Sequence, residues 1–370
     1  MKIAFLVTGF SKESKEATKI TTLSLAKKMI EKGQEVSIIT ESRKGLPSFE
    51  ELERVKVYRS EYGKIMSYPL ALKKAGSKFD IIHGFSAAPV LITRSLLSKF
   101  LFNKRAKVIH TLKSYSKSKY GHKFFRSLNL ADGITVPTNE YSLKLVNNGV
   151  KKERIKIIRS HIDLNKFQPL GNSEKISLKN KLNFPDKKII IYYGATWENK
   201  GFGDLLSAFK LLLDKRKDIF LVAAPRYELE QINKDKIKEL GLENNMRIVN
   251  ELIDVPAYLN SADICVLPYH SLIGTEGNPS CLLEAMACKT PVVTTNVPEI
   301  KEIVSHNQEV LMAIPGDQIS IADQINKVLD DDQLRERLVE KAYLKSKEFD
   351  IEIIAEEFLE LYEDVLNKVL

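Results

Sequence analysis

Short apolar runs alternate with longer amphipathic segments along almost the whole chain. The runs predict buried strands, in the first half at Ile3–Val7, Val36–Ile39, Val55–Tyr58, Ile81–Ile82, Val108–His110, Gly133–Val136 and Ile155–Ile158, and in the second half at Ile189–Tyr193, Ile219–Ala223, Met246–Val249, Ile264–Leu267, Val292–Thr294 and Val310–Ala313. The segments between them carry apolar residues at helical spacing. Strands that alternate with helices are typical of parallel sheets with crossover helices, so the pattern predicts an α/β protein.

The length of the chain and one polar stretch predict two domains. A chain of 370 residues is too long for one ordinary core. Residues 165–173 are polar and turn-rich, which indicates a linker. We therefore expect doubly wound domains at residues 1–165 and 174–350, facing a cleft and with ligands at the carboxyl ends of their strands. Apolar residues at near-helical spacing predict a last helix within residues 351–370.

Charge is distributed unevenly between the two halves. Residues 1–165 contain 32 Lys or Arg and 14 Asp or Glu, a net charge of +18, whereas residues 166–370 contain 25 and 34, a net charge of −9. The excess is densest between Leu91 and Leu130, which we call the basic segment. It has ten basic residues, no acidic residue and six interleaved aromatic residues. Such asymmetry points to a partner that contacts only the first half.

Three interpretations of the basic segment compete. A solvated surface requires no partner, and nucleic acid is disfavoured because no recognised nucleic-acid-binding motif accompanies the charge. An anionic membrane surface explains both features, since each basic residue near it contributes about 1 kcal/mol and aromatic side chains enter the interface. We favour the membrane, and we expect no nucleic acid. The predicted contacts with the membrane or acceptor are Lys99, Lys104, Arg105, Lys117, Lys119, Lys123 and Arg126.

Several classes of protein are disfavoured by what the sequence lacks. No run approaches the roughly 18 apolar residues that cross a bilayer, and Ile3–Val7 is too short for the apolar core of a signal peptide. Cys265, Cys281 and Cys288 have no metal-binding spacing and suggest a reducing compartment. A nucleotide-binding Gly-Lys-Ser/Thr loop and an HExxH motif are absent, so we expect no metal and no cofactor. The predicted location is cytoplasmic, peripheral on the inner membrane face.

Residues 275–293 carry the strongest functional signal. Gly277, Asn278 and Pro279 disfavour a helix, Ser280 is a suitable N-cap, and residues 282–287 are helix formers. The stretch therefore predicts a loop that enters a helix. A helix N-terminus offers free N–H groups and a partial positive charge, and these attract phosphate.

Two carboxylates would flank this anion site, Glu276 on the loop and Glu284 one turn into the helix. Carboxylates repel phosphate unless they serve another part of the ligand, and sugar hydroxyls are their natural partners. The pattern therefore favours a sugar attached to a nucleoside diphosphate. The alternative is a capped amphipathic helix with two solvated glutamates.

The same stretch resembles the E-x7-E donor-binding motif of the retaining family-four glycosyltransferases (glycosyl transferases group 1), which have the two-domain GT-B fold. Residues 284–293 and 297–300 match that family nearly position by position. The resemblance implies that Glu284 holds the nucleotide ribose and that Glu276 holds hydroxyls of the transferred sugar. It also implies that the backbone of five further residues runs along the donor: Asn278, Pro279, Ser280, Cys281 and Leu282.

Other segments extend the resemblance over nearly the whole chain. Residues 192–201 resemble the first strand, loop and helix of the donor domain, which makes Gly194 a donor-binding residue and Lys200 the cation beside the donor diphosphate. A cation is required there because the departing nucleoside diphosphate gains charge. His110 ends an apolar run and matches a histidine beside the transferred sugar, so we predict catalytic roles for His110, Glu276 and Lys200. His83 is the weaker candidate. The resemblance further implies a C-terminal helix that crosses back to the first domain.

The chain also departs from the family pattern. Ala195 and Thr196 occupy the place of the usual arginine, which Arg226 or Arg159 would have to replace. The first loop contains only Gly9 instead of a glycine pair, and Lys12, Lys15 or Lys19 would then contact the phosphate. His161 stands where glycine is usual.

From these features we expect a glycosyltransferase that moves a sugar from a nucleoside-diphosphate sugar to a glycan or lipid-linked acceptor, with retained configuration. Two alternatives remain: a non-catalytic glycosyltransferase-like binding subunit and a GT-B sugar-nucleotide epimerase.

Overall fold

The computed structural model describes residues 1–11, 16–61, 63, 65–76, 78–86, 90–115, 121–272 and 277–368. These residues form two compact units. The first comprises residues 1–161 and 351–368 with Gly277, and the second comprises residues 162–272 and 278–350.

The first unit is built on a parallel sheet with one antiparallel edge strand. In its described part the strands are β1 (Lys2–Val7), β2 (Glu35–Glu41), β3 (Phe49–Leu52), β4 (Val55–Ser60), β5 (Ile81–Phe85), β6 (Lys107–Thr111), β7 (Gly133–Val136) and β8 (Ile155–Ile157). Their order is β3-β4-β2-β1-β5-β6-β7-β8, and only β3 runs antiparallel to its neighbour. The order reverses at β1, which lies between β2 and β5.

Helices cover both faces of this sheet. They are α1 (Ala17–Glu31), α2 (Ser67–Ala75), α3 (Val90–Phe102), α4 (His122–Leu128), α5 (Asn139–Asn147) and α14 (Ile351–Asn367). Apolar side chains of α2 to α5 pack on one face, and those of α1 and α14 pack on the other. Because both faces are covered, strands such as β1 are apolar over nearly their whole length, in β1 from Ile3 to Val7.

The second unit repeats this arrangement. Its described strands are β9 (Lys188–Gly194), β10 (Ile219–Pro225), β11 (Met246–Ile248), β12 (Ile264–Leu267), β13 (Val292–Thr295) and β14 (Leu311–Ala313), all parallel and in the order β11-β10-β9-β12-β13-β14. Its helices are α6 (Asn172–Lys181), α7 (Phe202–Lys215), α8 (Gln231–Glu239), α9 (Val255–Ser261), α10 (Ser280–Ala287), α11 (Pro298–Lys301), α12 (Gln318–Asp330) and α13 (Asp332–Ser346). Helices α9 and α10 contribute to one apolar layer, and α7 and α12 contribute to the other.

The final helix belongs to the first unit. Its apolar stripe, which includes Phe358 and Tyr362, is buried against the sheet. On the helix edge, Lys28 and Lys32 of α1 pair with Glu352 and Glu356 at 2.5 and 2.6 Å. Exposed pairs of this kind contribute at most about 1 kcal/mol each, so the buried stripe supplies most of the attachment.

The expected α/β class with two doubly wound parallel sheets is confirmed. Each of the predicted strands is present, with ends that differ by at most a few residues. Strand β3 was not predicted, because its sequence Phe-Glu-Glu-Leu is short and lacks the alternation of apolar and polar residues that indicates a strand.

Candidate active site

The second unit has its topological switch point between β9 and β12. From β9 the chain passes to β10 on one side, whereas β12 pairs on the other side of β9. Loops that leave neighbouring strands in opposite directions open a crevice at their carboxyl ends, where open α/β sheets bind ligands. Gly194 ends β9, and a Cβ placed on it would lie 4.0 Å from the Cys281 Sγ in the first turn of α10. The predicted donor residues of these two segments are therefore neighbours.

Helix α10 begins one residue earlier than the sequence suggested. Pro279, with extended backbone, takes the N-cap position, and Ser280 is the first helical residue. The expectation that Ser280 caps the helix is therefore wrong. Its hydroxyl instead hydrogen bonds to the Glu284 carboxylate one turn along. The first N–H groups of α10 are thus left without a side-chain cap, and such groups suit an anion.

Glu284 is half-buried and held by the end of β9. The Tyr193 hydroxyl lies 2.8 Å from Glu284 Oε2 and 3.0 Å from the Cys281 carbonyl oxygen. Burial raises the pKa of the Glu284 carboxyl, and the Tyr193 hydrogen bond and the charges of Lys166 and Arg226 oppose that rise. Tyr193 was not singled out from the sequence, although its place in the Tyr-Tyr-Gly end of a strand is where a ligand-facing side chain is expected.

Two cations act on the same helix turn. Burial raises the pKa of the Cys281 thiol to about 11, and Glu284 adds to the rise, whereas Arg226 and Lys200 oppose it. The Lys200 Nζ lies 4.7 Å from the ring centre of Tyr269, in the loop after β12. Arg226 follows β10, and its backbone N–H donates to the Gly194 carbonyl oxygen at 2.7 Å. Arg226 therefore supplies positive charge beside Ala195, where the family arginine is missing.

Gly201 fixes the position of Lys200. It has φ +70°, and a Cβ on it would lie 1.8 Å from the Pro268 carbonyl oxygen. Only glycine fits such a close approach of two backbones in a left-handed conformation. The short helical turn Glu198–Lys200 is thereby held against the loop after β12.

Asn278 and Leu282 are fully buried at the start of α10. Within the described part of the chain, neither the amide nitrogen nor the amide oxygen of Asn278 has a hydrogen-bond partner. A buried amide without partners is rare in proteins and indicates a ligand, a water or a functional constraint. Glu276, the other predicted sugar-binding carboxylate, lies outside the described residues.

His110 is buried in the first unit. It lies within β6, and among the described residues neither ring nitrogen has a partner. Its Nδ1 and the Ser95 hydroxyl oxygen, which also has none, each lie 3.1 Å from the point that a Cβ on Gly84 would occupy. Burial lowers the pKa of His110 to about 4, so the ring is neutral at pH 7. Its catalytic role stays a prediction.

His83 is tied into the core. Its Nδ1 lies 2.6 Å from the Tyr362 hydroxyl of α14 and its Nε2 lies 2.6 Å from the Thr111 hydroxyl. The ring also stacks on Phe85 at 4.0 Å between centres. Burial, followed by the charges of His110 and Lys113, lowers its pKa, so it is neutral at pH 7. His83 therefore links α14 to the sheet.

Two other candidates for phosphate contact, both in the first unit, interact with acidic residues of that unit. Lys19 is buried and pairs with Glu16 at 3.1 Å. Arg159 acts electrostatically on Glu357 of α14, whereas Lys12 and Lys15 lie outside the described residues. His161, in the family glycine position, is buried with its Nε2 2.9 Å from the Ser24 hydroxyl oxygen.

Only some of the described basic side chains that were predicted to contact a membrane or acceptor are exposed. Lys104, Arg105, Lys123 and Arg126 are exposed, whereas Lys99 pairs with Asp132 at 3.1 Å. Lys117 and Lys119 lie outside the described residues.

The aromatic residues of this segment divide in the same way. The expectation that they enter a membrane is wrong for Tyr115, Phe124 and Phe125, which are buried in the core of the first unit, the two phenylalanines because α4 packs on the sheet. Phe100 is exposed. Among the described helices, none combines the length and apolarity that a membrane span requires.

Two sequence-family models match the chain one after the other. Residues 19–166 match the family described as Glycosyltransferase Family 4, and residues 174–345 match the family described as Glycosyl transferases group 1. Together these ranges cover most of the chain and meet near the boundary between the two units.

Relatives with assigned names are similar over most of their length. The N,N'-diacetylbacillosaminyl-diphospho-undecaprenol alpha-1,3-N-acetylgalactosaminyltransferase of Campylobacter jejuni is 28% identical, over 85% of this chain and 74% of that protein. The N-acetyl-alpha-D-glucosaminyl L-malate synthase of Bacillus anthracis is 25% identical, over 92% of both chains.

Solved structures confirm the fold as GT-B. Sucrose-phosphate synthase from Thermosynechococcus elongatus has a TM-score of 0.84 at 18% identity, covering 100% of both chains. Anabaena HepE in complex with UDP-glucose has a TM-score of 0.81 at 18% identity, covering 98% of this chain and 100% of that chain.

Proposed function

The chain belongs to the group 1 and family 4 glycosyltransferases, and we propose that it transfers a sugar from a nucleoside-diphosphate sugar to a glycan or lipid-linked acceptor, with retained anomeric configuration. The observation that carries this proposal is that the charges of Lys200, Arg226 and Glu284 all act on Cys281 in the first turn of α10, beside the switch point of the second unit. Cations and a carboxylate at one site suit a ligand that has both phosphates and hydroxyls.

Each group of this site has a distinct role in the proposal. Lys200, Arg226 and the first N–H groups of α10 bind the diphosphate and stabilise the charge that grows on it as the glycosidic bond breaks. Glu284 accepts hydrogen bonds from the ribose hydroxyls. Tyr193 holds the Glu284 carboxylate in place and favours its ionised form.

Names of similar proteins support the choice of substrates. The C. jejuni relative is named for an undecaprenyl diphosphate-linked acceptor, and the HepE structure holds UDP-glucose. We therefore propose a nucleoside-diphosphate sugar as donor and an acceptor that carries a lipid or a glycan.

The proposed reaction is a displacement on one face of the sugar. The acceptor oxygen bonds to the anomeric carbon as the bond to the diphosphate breaks, and the departing phosphate accepts the acceptor proton. Glu276 positions the sugar hydroxyls and His110 contacts the sugar as a neutral ring. Lys200 and Arg226 supply the positive charge, so we expect the rate to be unchanged by a chelator of divalent cations.

Docking on an anionic membrane completes the proposal. Exposed Phe100, Leu101 and Leu130 accompany exposed Lys104 and Arg105, in the last turn of α3 and the loops that precede β6 and β7. Apolar side chains next to basic ones suit an interface that contains anionic lipid. Sedimentation with vesicles that contain or lack anionic lipid tests this docking, and equal absence of binding to both would contradict it.

Thermal unfolding with uridine, guanosine and adenosine diphosphates, free and sugar-linked, tests the donor site. A ligand at about 100 times its dissociation constant stabilises the folded protein by about 2.7 kcal/mol. Such stabilisation raises the melting temperature of a domain of this size by roughly 5–10 °C. We expect one base to give this shift and Glu284→Gln to remove most of it.

The matched control is Glu336→Gln, which makes the same change at an exposed glutamate of α13. Release of free nucleotide on addition of acceptor, with the product anomer read by NMR, tests transfer and retention. No thermal response of the wild type to any nucleotide would contradict the donor assignment.

A further inference from the structure

A cavity of about 710 Å³ opens in the first unit, and its lining includes none of the residues assigned above to the candidate active site. Its lining includes Glu41 at the end of β2, Ser60 at the end of β4 and Ser67 at the start of α2. It therefore lies at the carboxyl edge of the sheet, where an open α/β sheet binds ligands. Its volume is typical of small-molecule sites.

Two buried hydroxyls line this cavity without partners. Ser60 is 1% exposed and Ser67 is 3% exposed, and in the described part of the chain neither side-chain oxygen has a hydrogen-bond partner. Buried polar atoms are almost always paired, so two such atoms in one cavity indicate a polar occupant.

Three cations line the same cavity: Arg43, Lys44 and Arg94. None of them forms an ion pair with another described residue. The Arg94 guanidinium lies 4.8 Å from the ring centre of Tyr68. The carboxylates of Glu41 and Glu61 line the cavity as well, so its described lining has an excess of one positive charge.

Gly9 makes room for one of these cations. It has φ +55°, and a Cβ on it would lie 1.9 Å from Nη2 of Arg43. Any larger residue would displace the guanidinium from the loop that follows β1. The single glycine of the first loop therefore leaves room for the Arg43 guanidinium beside β1, the switch point of the first sheet.

The loops that follow β1 and β2, next to the cavity, are held by a buried arginine. Arg59 is fully buried, and its guanidinium donates to the carbonyl oxygens of Pro47 at 3.1 Å and Phe10 at 3.2 Å. Tyr68 donates to Glu41, so that carboxylate is already engaged. The cavity is therefore preformed, with positive charge in excess.

Taking the sugar transfer proposed above as its basis, we infer that this cavity is the acceptor subsite and binds the phosphate group of a glycosyl phosphate or glycosyl diphosphate. The phosphate oxygens accept hydrogen bonds from Arg43, Lys44 and Arg94. The hydroxyls of Ser60 and Ser67 donate to the phosphate or to the sugar. A free sugar phosphate and a lipid-linked glycosyl diphosphate share this chemistry.

Equilibrium binding to the full chain, with the donor site saturated by nucleoside diphosphate, tests the inference. The probes are N-acetylglucosamine 1-phosphate, a short-chain prenyl diphospho-N-acetylglucosamine and methyl N-acetylglucosaminide, which lacks phosphate. We expect the phosphorylated probes to bind more tightly than the methyl glycoside. In Arg43→Gln/Lys44→Gln their dissociation constants should rise about tenfold or more, since a hydrogen bond to a charged group is worth a factor of this size.

The matched control is Lys151→Gln/Lys152→Gln, which removes the same charge from two exposed lysines of the first unit. Tighter binding of the prenyl probe than of the free sugar phosphate identifies a lipid-linked acceptor, and equal binding identifies the phosphate alone. Equal affinity of wild type for all three probes, or equal losses in both double variants, would overturn the inference.

The experiments can contradict the acceptor subsite without contradicting the proposed sugar transfer, and the reverse. If the wild type releases nucleotide from a sugar donor but the Arg43 and Lys44 substitutions do not change phosphate binding, the transfer activity stands and the subsite is wrong. If the phosphorylated probes bind through these residues but no donor is turned over, the subsite stands and the transfer activity is wrong.

Discussion

Replacement of Gly201 by alanine tests whether this glycine positions Lys200. The new Cβ would lie 1.8 Å from the Pro268 carbonyl oxygen, whereas real Cβ atoms essentially never approach closer than 3.0 Å. The backbone must therefore move by more than about 1 Å. A left-handed conformation costs alanine about 1–2 kcal/mol, and the steric overlap adds about 1–3 kcal/mol.

Gly241→Ala is the matched control, because Gly241 has φ +62° but nothing within 4 Å of its added Cβ. We expect the control to lower stability by about 1–2 kcal/mol and Gly201→Ala to lower it by about 2–5 kcal/mol, which corresponds to a decrease in melting temperature of roughly 4–20 °C. Calorimetry measures both changes.

The functional readout is the affinity for nucleoside diphosphate. A hydrogen bond between charged groups is worth about 1.5–3 kcal/mol, so displacement of Lys200 in Gly201→Ala should weaken binding at least tenfold, whereas Gly241→Ala should not change it. If the two variants have the same melting temperature and the same nucleotide affinity, the assignment of Gly201 as the residue that positions Lys200 is refuted.

Three further substitutions give distinct outcomes. Tyr193→Phe removes a hydrogen bond that lowers the pKa of Glu284, so the pKa of this carboxyl should rise further in the variant. As the pH is lowered from 8 to 5, the variant should therefore lose affinity for nucleotide sugar at a higher pH than the wild type does. Binding titrations over this range measure the shift, and identical pH profiles would count against it. Tyr362→Phe leaves His83 Nδ1 unpaired in the core and should lower the free energy of unfolding by about 1–3 kcal/mol, measured in urea; no loss would mean that the bond does not stabilise α14. Burial lowers the pKa of His161 from 6.5 to about 3, so the unfolded chain binds a proton first and stability is lost as pH falls below about 6.5. His161→Gln should recover about 2–3 kcal/mol of the acid-induced loss at pH 4.5, and equal losses in both proteins would contradict this.

The sequence predicts those parts of the fold that depend on local pattern. Runs such as Ile189–Tyr193 are apolar because both sheet faces are covered, so strands of this kind are readable. The contiguous stretch from Gly277 to Glu284 likewise predicts the start of α10 to within one residue. Burial of Phe124 and Phe125 is not readable, because a short basic helix gives no sign of the face that packs.

Sites whose residues are far apart in the sequence could not be predicted from it. The cavity with Arg43 and Arg94 joins residues from β2, β4, α2 and α3, and no spacing in the chain connects them. Arg226 is separated from Ala195 by a complete helix and strand, so its nearness depends on the pairing of β9 with β10. From the sequence, Arg226 and Arg159 were equally good replacements for the missing family arginine. The structure favours Arg226, because its backbone bonds to Gly194, whereas Arg159 acts on Glu357 of α14.

The attachment of α14 to the first sheet has a consequence for synthesis. A ribosome makes residues 351–367 only after the entire second unit, so the sheet face under α14 lacks the cover of that helix until all of residues 162–350 have been made. During that interval apolar residues such as Phe5 and Phe85 are open to water and to other nascent chains. Partly folded chains that expose such surface are prone to aggregate. Yield in a recombinant host should therefore depend on chaperones that shield this face until the last helix emerges.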